Sequence, residues 1–277
     1  MTVNHAESVL RMPWAGPLIS AAFLALAALP AGAQLQVGLK LESADFIQYE
    51  AVNAFVTLVN DTDDLVILGS EKGFTYDTLD FAVKYGKSGE MLTRTGTNAV
   101  LGKTRLMPDD KRELLIDISR LYDLSKMGNY IVSVMVDING KRIESKRVAF
   151  DVVSGIELAS VRRGLAEEPD TVRKYALRYW SRQRQEYLFL VVEDPETKQS
   201  FGVFNLGPFT KVTKPTIEAD RTGKVTVVHQ LDRGLFVKSV FKATRERVTF
   251  VDSSQQNDDG DALTGTRPPE VKLGPGK

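Results

Sequence analysis

Residues 112–153 read RELLIDISRLYDLSKMGNYIVSVMVDINGKRIESKRVAFDVV, and the spacing of their apolar side chains decides the fold class. Tyr130, Val132, Val134, Val136 and Ile138 fall on one side of an extended chain, with Ser133, Asp137 and Asn139 on the other, the period-two alternation of a half-buried strand. Asn139-Gly140 follows at once, a dipeptide that tolerates the positive φ angles of a tight hairpin turn, and Val148, Phe150 and Val152 carry the alternation of the return strand. Upstream, Leu114, Ile116 and Ile118 make another apolar face. An antiparallel sheet with one wet side needs a second layer over its dry side, so the stretch predicts a β-sandwich.

The same pattern extends toward the N-terminus. Strands are expected in LQVGLKLES at 35–43 and AVNAFVTLV at 51–59, where Val52, Ala54, Val56 and Leu58 share a face. The run 60–64, NDTDD, breaks the pattern with turn-forming residues, Leu65 to Leu68 resumes it, and Leu79, Phe81, Val83 and Tyr85 give a third alternation before a turn at 86–89. A looser segment, 92–103, is expected to cross between sheets, and Pro108-Asp109-Asp110 turns the chain into the quoted stretch. Short strands with turn signals every eight to twelve residues form the pattern of an Ig-like sandwich.

Ile116-Asp117-Ile118-Ser119, Tyr122-Asp123-Leu124-Ser125 and Gly128-Asn129-Tyr130, in that order, carry a resemblance. Residues 41–153 resemble the small β-sandwich that precedes the catalytic domain of deuterolysin-type metalloendopeptidases and, more loosely, macroglobulin-like and other Ig-like modules. The resemblance implies a fold and not an active site. The chain contains no His-Glu-x-x-His, so peptidase activity does not carry over. Tyr130 is placed to bury its ring at a sandwich corner while its hydroxyl caps nearby backbone. Where antibody-type domains have a cysteine two residues later, this chain has Val132.

With 277 residues there is room for two ordinary domains. Before the sandwich, Arg11, the apolar run LISAAFLALAAL at 18–29 and Ala31-Gly32-Ala33 read as an export signal cleaved after Ala33. No second hydrophobic span follows, so no transmembrane span is expected once the leader is removed. After the sandwich, Tyr175, Leu177 and Tyr179 alternate with Lys174, Arg178, Trp180 and Arg182, and residues 188–192, LFLVV, are apolar on both faces, as in a central strand. Hairpin partners at 200–206, 216–219, 224–230, 235–243 and 248–251 then predict an antiparallel meander. From Ser253 onward polar residues, Gly and Pro dominate, a composition too poor in apolar surface to offset ordering entropy. The expected organisation is all-β: a leader over 1–33, an Ig-like sandwich over 34–154, a second antiparallel β domain over 155–252 and a disordered tail over 253–277.

Composition narrows the chemistry. Without cysteine there is neither a disulfide framework nor a lipid-bearing thiol. Formal charge is zero, and a mild basic excess in the second part is not the footprint of a nucleic-acid binder. His5 leaves with the leader, and His229, on a face with Val225 and Val227, reads as a core or edge histidine bonded to backbone, since no serine or cysteine partner for a catalytic base is evident. Gly86-Lys87-Ser88 lacks the earlier glycine of a phosphate loop, and Asp61, Asp63 and Asp64 lack the glycine and distal glutamate of an EF-hand, so both read as turns. Asn60-Asp61-Thr62 is a glycosylation sequon, meaningful in a eukaryotic source. No metal and no cofactor is implied.

The most suggestive constellation is Arg178, Trp180, Arg182 and Arg184 with Tyr187 close by. Arg stacks on indole by cation–π attraction, so these residues form either a ladder across a solvated sheet face or a binding surface for a protein, a glycan or an anionic polymer, because Trp, Tyr and Arg anchor interfaces. The expected function is therefore that of an exported, non-catalytic binding or assembly protein, periplasmic or secreted, with a protein or glycan partner in the envelope or extracellular space and no nucleic acid. Two alternatives stand beside it. One is an envelope glycan hydrolase using Glu186 or Glu193 with a second carboxylate, and the other a protease inhibitor presenting segment 92–103.

Overall fold

The computed structural model describes residues 34–71, 74–75, 77–95, 100–165, 168, 170–263 and 272–273; the leader expected over 1–33 lies outside them. In chain order the first part contains β1 (Leu35–Leu41), β2 (Asp45–Ile47), β3 (Asn53–Asn60), β4 (Val66–Leu68), β5 (Ser70–Glu71), β6 (Phe74–Thr75), β7 (Thr78–Tyr85), β8 (Glu90–Met91), β9 (Thr104–Leu106), β10 (Lys111–Asp117), β11 (Gly128–Ile138), β12 (Lys141–Glu144) and β13 (Val148–Val153). The second part contains β14 (Ile156–Gly164), β15 (Val172–Arg182), β16 (Gln185–Glu193), β17 (Ser200–Pro208), β18 (Thr216–Ala219), β19 (Lys224–Asp232), β20 (Leu235–Ala243), β21 (Val248–Gln256) and β22 (Lys272–Leu273). Among the described residues the one helical piece is a 3-10 turn at Ile118–Arg120, so the chain is all-β, as its alternation predicts.

In the first part a three-stranded sheet, β1-β3-β10, packs on a second sheet ordered β2-β13-β11-β7-β8. The alternating residues that decided the sequence reading, Tyr130, Val132, Val134 and Val136, join Val56, Leu58, Phe81 and Val83 in one core. Burying one such side chain is worth about 1.5–3 kcal/mol, which is why the register of these strands is firmly specified. The hairpin turn is as expected, with φ of 49° at Asn139 and 74° at Gly140. The return strand is different: it is split. Ser145 interrupts it, accepting the Val134 N–H at 3.0 Å with its hydroxyl and donating its own N–H to the Val134 carbonyl at 2.9 Å, so β12 pairs with one end of β11 and β13 with the other. Tyr130 is fully buried, stacks on Phe150 and donates its hydroxyl to the Lys126 carbonyl at 2.7 Å, the corner role its position implies.

Segment 92–103 is tied down toward both ends. Thr95 N–H bonds the Leu121 carbonyl and Ser70 N–H bonds the Leu101 carbonyl. Gly69, at φ 93°, lets the chain pass so close that a Cβ there would stand 2.4 Å from the Gly102 carbonyl oxygen.

The second core lies between β14-β15-β16-β17-β22 and the meander β18-β19-β20-β21. β16 holds the central place that its apolar run predicts: Leu188, Leu190 and Val192 enter this core, while Phe189 and Val191 face the opposite way. At the C-terminus the expectation of a tail from residue 253 needs correction. β21 continues to Gln256 because Ser253, Ser254 and Gln255 pair with Ser239, Lys238 and Val237, and β22 adds to β17; residues 264–271 and 274–277 lie outside the described ones. Polar side chains do not prevent a strand from extending when a neighbouring strand supplies backbone hydrogen bonds.

Candidate functional site

The two parts meet over the outward face of β15 and β16. Phe189, Val191 and Val203 pack on Ile47, with Tyr49, Val153, Trp180 and Tyr187 around them. The link is short, and Gly155 makes it feasible: at φ 69°, a Cβ there would stand 2.8 Å from Ile47 Cδ1 and 3.2 Å from the Tyr179 carbonyl oxygen.

A turn at residues 47–50 builds the polar part of this junction. Glu50 N–H donates to the Ile47 carbonyl at 2.8 Å, and Ile47 N–H donates to Glu50 Oε2 at 2.8 Å. Tyr49, between them, is held at φ 69°, a conformation an aromatic residue adopts only where its surroundings impose it. Arg182 reaches across from β15 and grips the Glu50 carboxylate with both terminal nitrogens, Nη1 to Oε1 at 3.0 Å and Nη2 to Oε2. The two side chains are only 11% and 10% exposed, so the pair sits in low dielectric. Burial pushes the Glu50 carboxyl above its ordinary range, while the Arg182 hydrogen bonds and charge pull against that shift.

Beside this turn lies a groove of about 390 Å³. One wall is Ile47, Tyr49 and Glu50; the other is the corner after β10, with Ser119, Tyr122 and Leu124. That corner is fixed by its own chemistry. Asp117 Oδ1 accepts the Ser119 N–H at 3.1 Å, Asp123 Oδ1 accepts the Ser125 N–H at 3.1 Å, and the Tyr122 hydroxyl donates to the Phe81 carbonyl. Gln48 Nε2 donates to the Ser125 carbonyl at 2.6 Å and joins the two walls. Burial raises the Tyr122 phenol to about 12, so it stays a hydrogen-bond donor throughout the physiological range. A concave, mainly apolar site with a few fixed polar groups and a buried, shifted carboxyl suits the binding of a small group.

The five residues singled out in the sequence do not form one open face. Trp180 and Tyr187 pack in the junction, Arg182 is bonded to Glu50, and Arg178 is bonded to Glu193 at 3.2 Å. Arg184 alone of the five is exposed, at the Gln183-Arg184 hairpin tip where both φ angles are positive. The reason is on β16: Phe189 and Val191 make the face that carries Trp180 apolar, and the first sandwich covers it. Of the five, Arg182 reaches the groove's wall, through Glu50. Sequence reasoning missed Tyr49, Glu50 and Ser119. The Asp-x-Ser spacing of 117–119 is a signal that could have marked a local cap, but no sequence signal marks an aromatic residue with positive φ.

The remaining chemical groups are mostly paired. Glu157 and Glu193 share Lys174 and Arg178, with Lys174 Nζ at 2.7 Å from Glu157 and 3.5 Å from Glu193. Burial acts to raise the Glu157 carboxyl, but the hydrogen bonds from Lys174 and Ser160 and the cationic charges outweigh it and hold the group below its ordinary range. Glu186, at the far end of β16, is paired with Lys211 at 2.9 Å. His229 is 1% exposed, and burial lowers it to about 4. Its ring nitrogens lack a well-formed partner, the nearby Pro208 carbonyl only weakly opposing the shift, so the backbone-bonded histidine expected from the sequence is instead a neutral, poorly satisfied one. Asp61 and Asp64 belong to a turn organised by Asn60 and Thr62, and among the described residues no group of three or more His, Asp or Glu side chains is placed to hold a metal.

The fold and the groove define a class: an all-β protein of two packed cores, joined beside a small amphipathic cleft. No protein-family model matches the chain, and no curated protein is significantly similar to it.

Proposed function

We propose that this chain is an exported, non-catalytic binding or assembly protein, with a first sandwich of the Ig-like type, whose groove between the 47–50 turn and the corner after β10 receives an aromatic or aliphatic group of a protein or glycan partner. The observation that carries this reading is the groove itself: tyrosine and leucine walls with hydroxyls at the rim, both walls locked by hydrogen bonds, so little entropy is lost when a partner seats. The leader at residues 1–33 supports export, and the bulk of the apolar side chains serves the two cores. Arg120 and Asp123, both exposed, line the groove and offer charges of both signs to a partner.

The test compares the wild-type chain with Ser119→Trp, which fills the groove while leaving the backbone cap at Asp117 in place. Partner capture from the native envelope fraction should be lost in the variant at unchanged melting temperature. Capture indifferent to the filled groove, or turnover by the wild type in an unbiased hydrolase screen, would overturn the proposal.

A further inference from the structure

β10 is an edge strand with nothing beside it among the described residues: it pairs with β3 on one side and ends its sheet on the other. β1, of the same length, is the other edge of this sheet, while the long edges of the second part are better covered. β14 lies against β18, with Arg163 Nε bonded to the Ala219 carbonyl at 2.9 Å, and the chain folds back on β21, where Leu263 N–H bonds the Gln255 carbonyl. β10 has seven residues and no proline, but Lys111, Arg112, Glu113 and Asp117 charge it, so its open amides and carbonyls accept a further strand only where those charges complement the partner's. Its core-facing residues Leu114 and Ile116 are only half-buried, and on the outer face Leu115 is 63% exposed next to its cross-strand neighbour Phe55 at 39%.

Parity identifies which groups are free. Ile118 N–H bonds the Val52 carbonyl, and the register with β3 pairs residues whose numbers sum to the same value along the strand, so the even-numbered residues of β10 direct their backbone groups to β3. Lys111, Glu113, Leu115 and Asp117 therefore point theirs to the open side. Against a second β10 running antiparallel, hydrogen-bonded pairs must join these odd-numbered residues to one another. Charge and overlap then decide where a two-fold axis can lie: an axis at Arg112 sets that residue against itself, and an axis at Ile116 opposes no like charges but leaves only Leu115 and Asp117 of the strand to pair. An axis at Glu113 sets Glu113 against itself, and an axis at Leu115 sets Glu113 against Asp117. An axis at Leu114 sets Lys111 against Asp117 twice and Glu113 against Leu115, with no like charges opposed. Among the described residues Asp117 Oδ2 is otherwise held by Arg120, whose side chain is 71% exposed.

We propose that β10 pairs with β10 of a second copy of this chain, antiparallel and centred on Leu114, giving a two-fold dimer with a continuous six-stranded sheet β1-β3-β10-β10-β3-β1. Leu114 meets Leu114 of the other copy in a close non-hydrogen-bonded pair, and the half-buried Leu114 and Ile116 complete the open side of the first core.

The absence of cysteine permits a direct test. The purified wild type should show twice the mass of one chain by light scattering at micromolar concentration. On mild oxidation Leu114→Cys should convert to a covalent dimer, whereas Ile116→Cys, which falls opposite Arg112, should not. Glu113→Pro removes an amide that faces solvent and not β3, so it should leave the melting temperature nearly unchanged while weakening the dimer at least tenfold. A wild type of single-chain mass, equal cross-linking at positions 114 and 116, or a dimer indifferent to Glu113→Pro in a folded chain would each overturn the proposal; a monomer that pairs β10 with a strand of another protein would do so as well.

Discussion

His229 is a buried titratable side chain whose protonation bears directly on stability. The folded pKa of about 4 lies below the ordinary 6.5 because the imidazole is buried, so the unfolded chain binds a proton before the folded one does. The stability it permits is full above pH 6.5 and is lost as the pH falls from there through 4, an effect of about 3 kcal/mol. His229→Leu should therefore flatten the fall in melting temperature between pH 6.5 and 4; an acid limb identical to wild type would show that other groups govern it. Arg182 and Glu50 give a second expectation at this scale. Arg182→Ala leaves a buried carboxylate without its cation and should cost about 3–5 kcal/mol in denaturant unfolding, whereas Arg182→Met with Glu50→Leu should recover most of that loss. Equal losses in the single and double variants would mean that packing and not charge explains the cost. His229 and Arg182 stand on strands whose alternation is plain in the sequence, yet their partners or lack of them were not legible, because alternation reports a face and not what lies against it.

Strands and turns are the scale at which the sequence spoke most clearly. Asn139-Gly140 set a turn, residues 188–192 a central strand, and the Tyr130 run a buried face, since each depends on neighbours within a few positions. Where a distant element intervened, the local pattern misled. Ser145 reads as an ordinary polar residue, but its hydroxyl replaces a backbone group opposite Val134 and divides the return strand. Residues 253–256 read as a tail, but β20 holds them in register. Gly155 belongs to this scale as the link between β13 and β14. Gly155→Ala must adopt φ near 69° and crowd Ile47, so it should cost about 1–3 kcal/mol and increase proteolytic cleavage at the link; unaltered stability and cleavage would mean that the link relaxes freely.

For the whole molecule, the junction around Ile47, Phe189, Val191 and Val203 makes the two cores depend on each other. Cooperative unfolding follows when separating two parts would expose such a shared apolar surface. Calorimetry should show one transition for the wild type and two for Ile47→Asp, which places a carboxylate where an apolar contact stood. Two transitions in the wild type would show that the cores are energetically independent. The same junction holds one wall of the groove, so Ile47→Asp should also weaken any partner whose binding depends on that groove.

By itself the amino-acid sequence determined the β class, the faces of the strands, the tight turns and the absence of thiol chemistry, all of which follow from residue type and short spacing. Only the tertiary structure decided that Trp180 and Arg182 are covered, that Glu50 is the buried counter-ion of Arg182, and that Tyr49 and Ser119 flank a groove. Those outcomes require residues far apart in the chain to share one low-dielectric contact, and no local pattern carries that information.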